Sequence, residues 1–539
     1  MLPTFVSPSG LRARGRTKGG SSRTGAASRL VLLVGLPLCA LALLLCCSAW
    51  LAGWLASLHG AAGRSRVEIG TGDAATAAAL DLPSGLPPAP ADCPAVVASW
   101  LQRSEARAAA RAASPLANLT FFLHVPRTAG RTLFFCALKP AWAPSQRCER
   151  AYDHLRLDPG RPGCGLLSSH DDFRLVEQFP GRVTLLTQLR DPVDRLLSAY
   201  EFAVEVAARG LGQRDKVRRP KAPARTETTA VWPWSELVPL VAADMDARHA
   251  ALAGPDPPAR SPTEHAYDNA LAMPLSAFAA HPAVHSLLHN GASFQLLGLT
   301  ANALSDGDPT HELTSPDAVA EAAVVRSCVA GGGHAMEAVK EHALSRLRSE
   351  VSVVTLKDRL GESVSMLAAS LKRPLSSRSY RTLSDAKDEE ARGSVAKAGD
   401  AAAIAAAAAA MDAASRSGAA SLGAAFSACE KRQRDKMGSR RGASLKKLGL
   451  LADGSPVAFA RSAVPVELLA AVRRYNELDD ALYAQGRTLF EARKALFISD
   501  GSWEDLEAAA KGPVKEDGAV EEGGWGDTAA ALQQQQQAG

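Results

Sequence analysis

The sequence predicts an α/β fold, a central parallel sheet flanked by helices and preceded by one N-terminal transmembrane helix. Three observations predict it: a long charge-free run near the N-terminus and two strand–loop–helix segments. The segments are FFLHVPRTAGRTLFFCALK at 121–139 and VTLLTQLRDPVDRLLSAYEF at 183–202. In each, an apolar strand gives way to a polar turn holding arginine and hydroxyls, then to an amphipathic helix. Units of this kind present backbone N–H groups and the positive end of a helix to an anion, as nucleotide-binding α/β proteins do.

The first 29 residues carry Arg12, Arg14, Arg16, Lys18, Arg23 and Arg29 and no acidic residue, and Leu30–Leu58 carries no charge. That run exceeds the roughly 20 residues needed to cross a bilayer. It also exceeds the apolar run of about 7–15 residues in a cleaved signal peptide. A retained anchor is therefore expected at 30–58, with the basic tail 1–29 cytoplasmic and the rest of the chain lumenal or extracellular. The formal charge of the 539 residues is +5, and the six tail cations account for all of it. The near-neutral remainder has no general nucleic-acid footprint.

Residues 59–116, rich in Ala, Pro, Gly and Arg, read as a stem. The catalytic unit is expected over 117–490. Within it 211–228 and 251–265 read as surface loops, and 232–250 and 281–299 as helices. Residues 335–350 form an amphipathic helical pattern, 351–356 a β-branched strand and 362–371 another helix. The Ala-rich stretch 385–425 has high helix propensity but little core and reads as an insert. Residues 464–490 read as a closing helix, and 491–539, with its glutamine run, as a disordered tail.

Six cysteines lie beyond the anchor: Cys93, Cys136, Cys148, Cys164, Cys328 and Cys429. An even number in an oxidising compartment fits disulfides, whose pairing the sequence does not fix. Cys148 and Cys164 bracket a short Pro/Gly loop and are the natural local pair. Cys136, on an apolar helical face, also fits a reduced buried thiol. Asn118-Leu119-Thr120 is a glycosylation sequon, consistent with a lumenal location.

In the first segment the loop is PRTAGRT. Gly130 lets the backbone approach a ligand closely, Thr128 and Thr132 offer hydroxyls, and Arg127 and Arg131 offer bidentate contacts to phosphate or sulfate oxygens. The spacing is not the GxxxxGK[ST] of ATP-type loops, which disfavours nucleoside triphosphate hydrolysis. In the second segment Arg190 stands at the strand end and Asp191-Pro192 starts the helix. Ser198, a little over two turns along, is placed to join Arg190 on one anion. Asp194 and Arg195 read as helix-surface charges.

PRTAGRT followed by LRDPVDRLLSAY resembles the paired signatures of the sulfotransferase superfamily, in its Golgi, heparan sulfate O-sulfotransferase-like branch. The chain is most similar to plant-type tyrosylprotein sulfotransferases at FLHVPRTAGRT, SSHDDF, RDPVDRLLSAYEFAVEVAARG, WPWSELVP, HNGASFQLLGLT and RRGASLKKL. The likeness spans roughly 117–300 and about 425–490. It implies a P-loop-like sulfotransferase fold and the co-substrate 3′-phosphoadenosine 5′-phosphosulfate, with no metal required. The loop Arg127, Thr128, Ala129, Gly130, Arg131 and Thr132 would then hold the 5′-phosphosulfate, and Arg190 with Ser198 the 3′-phosphate. Arg440, Arg441, Ser444 and Lys446, in a basic stretch at 431–447, would close over the donor's adenosine or phosphate or attract an acidic acceptor; the same stretch also reads as a solvated face. Two departures stand out. Many superfamily members have lysine where this chain has Arg127, and arginine does not release a proton to the leaving group. Plant-type members anchored near the C-terminus are known, whereas the span here is N-terminal.

Sulfuryl transfer needs positive charge at the departing phosphate and a base for the acceptor hydroxyl. Arg127 is expected to supply the first. His170, ending the apolar strand LLSSH, is the candidate base, with Asp171 or Asp172 orienting its ring or beginning a helix. Glu201 and Glu205 are rival acids, with ion pairing, to Arg209 for example, as their ordinary role. The resulting expectation is a single-pass type II Golgi membrane protein with a lumenal domain that sulfates tyrosine hydroxyls of acidic secretory peptides or proteins. A glycan acceptor and a non-catalytic anchored binding protein are the alternatives, and the oligomeric state is left open.

Overall fold

A computed structural model describes residues 86–152, 164–179, 181–214, 232–254, 267–302, 316–371, 422–447 and 464–503. All of them fall in the compact unit Leu80–Gly539. The expected anchor at 30–58, the cytoplasmic tail, most of the Ala-rich stretch and residues 504–539 of the C-terminal tail lie outside the described residues; the first residues of the segment read as a disordered tail, through Ser499, are instead helical, because the closing helix runs on past 490. Among the described residues no helix is long and apolar enough to cross a membrane.

Five strands, β1 (Leu116–Leu123), β2 (Arg147–Tyr152), β3 (Leu166–Ser169), β4 (Arg182–Leu189) and β5 (Val353–Leu356), form one sheet in the order β2-β3-β1-β4-β5. Every pairing is parallel. Phe121, Phe122 and Leu123 of the central strand are fully buried, the unbroken apolar run that a strand covered on both faces requires. Leu123 lies opposite Ser169 on one side and Thr187 on the other. The loops that follow β1, β3 and β4 therefore leave the sheet at the same level. That shared edge carries Arg127, His170 and Arg190.

The helices are α1 (Cys93–Ala112), α2 (Gly130–Leu133), α3 (Phe173–Val176), α4 (Pro192–Arg214), α5 (Trp234–Leu252), α6 (Leu275–Ala280), α7 (Pro282–Leu288), α8 (Gly291–Leu297), α9 (Pro316–Ala330), α10 (Gly333–Ser349), α11 (Leu360–Leu371), α12 (Leu422–Lys447), α13 (Val466–Tyr475) and α14 (Glu477–Ser499). α2 runs on through a π-helical turn, Phe134–Leu138, to Lys139–Ala141. One apolar core surrounds the sheet. A second, built on Tyr200, Trp232, Trp234 and Phe278, joins α4 to α5, α6 and α7. α1 falls within the segment read as a stem, yet it buries Val97 and Trp100 and is bonded through Cys93 to Cys328 of α9. Cys148 bonds Cys164, and Cys136 bonds Cys429 of α12, so the apolar site of Cys136 does not hold a free thiol.

Two segments that read as single helices are each broken in two, and the breaks meet. The 281–299 stretch interrupts at Asn290, whose φ of 51° is left-handed; the 464–490 stretch interrupts at Asn476. The Asn290 side chain accepts from the Leu478 N–H at 2.9 Å, and the Asn476 side chain accepts from the Asn290 N–H at 3.0 Å. Asp479 in turn accepts from the Ala292 and Ser293 N–H groups at 3.1 and 2.7 Å. α8 and α14 thus cap each other's N-termini, satisfying N–H groups that a helix cannot satisfy itself. Periodicity alone conceals such a break, because its cause lies far away in sequence.

Arg195 corrects the surface reading. It is 3% exposed and pairs with Asp479 at 2.8 Å, while also donating to the Leu288 carbonyl. Asp194 behaves as read, with its side chain 39% exposed and 3.8 Å from Arg190. A buried ion pair is costly to break by removing one partner. Arg195→Met is expected to destabilise the fold by about 3–5 kcal/mol in chemical denaturation, because Asp479 loses the countercharge that Arg195 supplies.

His289 gives the fold an acid sensitivity. Its Nε2 donates to the Ala279 carbonyl at 3.0 Å and its Nδ1 accepts from the Asn476 amide at 3.0 Å, which fixes the neutral ring. Burial, with His285 nearby, pulls its pKa down to about 3. Between that value and the ordinary 6.5 the unfolded chain binds the extra proton, so stability is complete above pH 6.5 and declines as the pH falls. The melting temperature is expected to drop from about pH 7 to pH 5, with a shallower slope in His289→Gln.

Candidate active site

The site begins with the chain's turn out of β1. Arg127 and Ala129 have φ values of 69° and 68°, a left-handed conformation that side chains with a Cβ rarely adopt. Thr128, fully buried, braces this turn by donating its hydroxyl to the Val125 carbonyl at 2.8 Å. A Cβ at Gly130 would collide with the His124 ring, so the first residue of α2 has to be glycine. Thr132 is buried in the same helical turn, and Arg131 lies over the Phe135 ring at 5.0 Å. The result is a tight loop ending at a helix N-terminus, a geometry suited to anions.

Arg127 turns inward. Its Nε and Nη2 donate to Ser198 Oγ at 3.1 and 2.9 Å, and its Cζ sits 4.5 Å from the centre of the Phe202 ring. Arg190 Nη1 donates to the Arg127 carbonyl at 3.1 Å. Arg127, Arg190 and Ser198, drawn from the two segments, are therefore in one place, with Ser198 bonded to Arg127 rather than to Arg190. Burial lowers both arginine pKa values to about 10, and repulsion from Arg190 and Arg441 contributes at Arg127. Both guanidinium groups stay charged near neutral pH. Two buried like charges at a helix N-terminus form a site that an anion stabilises.

His170 follows β3 and is 4% exposed. Its Nδ1 lies 2.7 Å from the His124 carbonyl, and its ring stacks on the His124 ring with centroids 4.1 Å apart. A carbonyl only accepts, so the neutral ring carries its proton on Nδ1 and the lone pair on Nε2. His124 also borders Gly130, which places the His170–His124 stack against the start of α2. Gln295 Nε2 donates to the carbonyls of His124, His170 and Asp171 at 3.2, 3.0 and 3.2 Å, tying the ends of β1 and β3 together. Asn302 Nδ2 adds a bond to the His170 carbonyl at 3.2 Å. Asp172 begins α3 and pairs with Arg174 at 2.5 Å, and Asp171 accepts from Ser169 Oγ at 2.6 Å. The backbone carbonyl of His124 fixes the orientation of the His170 ring.

The opposite wall comes from α4 and α12. Glu201 is 5% exposed; it accepts from the Tyr267 hydroxyl at 2.9 Å and pairs with Arg441 at 3.1 Å. Glu205 pairs with Arg209 at 3.7 Å, and burial raises its carboxyl pKa. Arg440 is exposed. Ser444 and Lys446 lie in α12, with side chains outside the described set. The Cys136–Cys429 bond ties α12 to the helix that continues from the loop. Asn118 is exposed near the start of β1, the end of the strand far from these loops.

Sequence reasoning passed over His124, Gln295, Asn302 and Tyr267. His124 had a signal, since it is the polar residue between the apolar end of the strand and the loop. The other three come from distant loops and helices, and their local sequence shows no reason for their burial.

No family model matches the chain, and no solved structure matches it. A curated relative, the protein-tyrosine sulfotransferase of Arabidopsis thaliana, is 31% identical over 422 residues, which span 74% of this chain and 80% of the relative. The chain is a sulfotransferase and belongs to the plant-type tyrosylprotein sulfotransferase family.

Proposed function

We propose that this protein transfers a sulfuryl group from 3′-phosphoadenosine 5′-phosphosulfate to tyrosine hydroxyls of acidic secretory peptides or proteins, by in-line displacement at sulfur. The observation that carries the proposal is the cationic pair Arg127–Arg190 at the α2 N-terminus, beside a histidine whose Nε2 holds the lone pair. A donor with a 5′-phosphosulfate and a 3′-phosphate offers the two anionic groups that such a site needs.

In the reaction, the phenol oxygen attacks sulfur while His170 Nε2 takes its proton. The bond from sulfur to the phosphate oxygen breaks, and negative charge grows on the departing phosphate. Arg127, held by Ser198, faces that charge with the N–H groups of the loop 127–132. Arginine does this as a fixed cation and leaves proton transfer to other groups. Arg190 takes the 3′-phosphate together with Ser198. The Glu201 carboxylate, already occupied by Tyr267 and Arg441, anchors α12 over the site. The exposed basic residues of α12, among them Lys431, Arg432, Arg434 and Arg440, suit an acidic acceptor.

The three disulfides and the exposed Asn118 sequon support a lumenal domain. With the basic tail and apolar run of the sequence, they favour a single-pass type II protein of the Golgi membrane.

The decisive assay incubates the detergent-solubilised full chain with labelled donor, an acidic tyrosine peptide and a desulfated polysaccharide. Label on the peptide is expected; label confined to the polysaccharide would replace tyrosine by a glycan acceptor. Donor binding without label on either acceptor would favour a binding protein. Arg190→Ala is expected to weaken donor binding by about tenfold or more in equilibrium titration. His170→Ala should lower turnover by about 10²–10⁴-fold with donor affinity kept, and unchanged turnover would remove it as the base.

A further inference from the structure

β5 lies beside β4 in parallel register, with Leu356 opposite Leu189. The Lys357 N–H donates to the Leu189 carbonyl at 2.9 Å. Lys357 is therefore the β5 neighbour of Arg190 on the edge where the site is built. Its side chain is half-buried, and among the described residues its ammonium has no hydrogen bond and no ion pair. The charges that face it come from four elements. Arg190 follows β4, and Asp358 is the next residue in the loop of Lys357 itself. Glu430 and Arg434 reach it from α12, and α14 contributes Tyr483, which donates to Asp358 at 2.9 Å. Glu430 is paired with Arg434 at 2.7 Å. Glu430 is thus taken by Arg434, and Asp358, held by the neutral Tyr483 hydroxyl, offsets the ammonium only in part and forms no ion pair with it among the described residues.

Arg190 is itself held only by the Arg127 carbonyl at 3.1 Å and by Asp194 at 3.8 Å. Its Nε is buried without a hydrogen-bond partner. Gln188, two residues earlier on the same face of β4, is fully buried with both its amide nitrogen and its amide oxygen unpartnered. Buried polar atoms of this kind are rare in finished structures, and each points to a missing partner. Burial, and then Arg190, hold the Lys357 ammonium below the usual lysine range, as expected of two cations at a partly dry edge.

We propose that Lys357 is the second cation for the donor's 3′-phosphate, so that this edge selects a nucleotide with a terminal phosphomonoester over one without it. A phosphomonoester carries close to two negative charges at neutral pH, which matches the Arg190–Lys357 pair and removes its repulsion. This inference rests on the sulfonucleotide reading of the site. It adds a residue from a third strand to the two segments that mark the donor loop, and it makes the 3′-phosphate a determinant of specificity.

The test is titration calorimetry on the solubilised full chain with adenosine 3′,5′-bisphosphate and, separately, adenosine 5′-phosphate. Wild type is expected to prefer the bisphosphate. Lys357→Met is expected to weaken the bisphosphate about tenfold and to leave the 5′-phosphate within about twofold. Lys357→Arg should restore the preference. An equal loss for both ligands, or no loss for either, overturns the role of Lys357 while leaving the donor reading in place. Failure of wild type to bind either nucleotide overturns the donor reading and this inference with it. Lys357→Gln serves in place of the methionine variant if that variant does not fold.

Discussion

Two guanidinium groups share the end of this sheet because the strands that carry them are hydrogen-bonded neighbours. β1 and β4 run parallel with their last residues level, so the residues that follow them have to emerge together. Arg190 then reaches the carbonyl of Arg127, and Arg127 reaches Ser198 one helix further on. Left alone, the pair would separate into water to escape repulsion and desolvation. The sheet register prevents that. The cost is met by packing elsewhere, and the carboxylates of Glu201 and Glu205 offset the repulsion only in part, which leaves an edge that an anion stabilises.

The frame around the pair is held by contacts that do no chemistry. Asp479 caps α8, α8 supplies Gln295, and Gln295 ties the ends of β1 and β3 where His124 and His170 stand. Arg195 brings α4 into the same contact, and α4 carries Ser198, Glu201 and Glu205. Cap, ion pair and carbonyl clamp form a continuous path from the closing helix to the proposed base. A buried ion pair contributes little net stability compared with apolar packing, but it fixes one arrangement by making every other one leave a bare charge. Here the fixed arrangement is the spacing of the loops. The disulfide from Cys136 to Cys429 adds a covalent tie between the helix that follows β1 and α12 across a long stretch of sequence.

Much of this was legible in the residues. FFLHV, LLSSH, VTLLTQL and VSVVTL announced four strands of the sheet by their apolar runs, and the two polar turns marked the edge that matters. What escaped was whatever depends on a distant partner. Arg195 sits in a charged helical turn that looks solvent-facing, and only Asp479, far along the chain, shows it to be buried. The helix breaks at Asn290 and Asn476 are invisible to periodicity because each break is stabilised by the other. Gln295 and Asn302 look like ordinary loop and helix residues until they are placed against the carbonyls of β1 and β3.

By itself the sequence determined the chemistry available: the two arginine-bearing loops, the intervening histidine and the α/β class follow from local patterns of apolar and polar residues. The tertiary structure decided how that chemistry is arranged. It set Ser198 on Arg127, fixed the tautomer of His170 through a backbone carbonyl and brought Lys357 next to Arg190. The physical reason is range. Strand and helix patterns are written in neighbours a few residues apart, whereas hydrogen bonds, ion pairs and like-charge contacts between strands are set by packing and have no local signature.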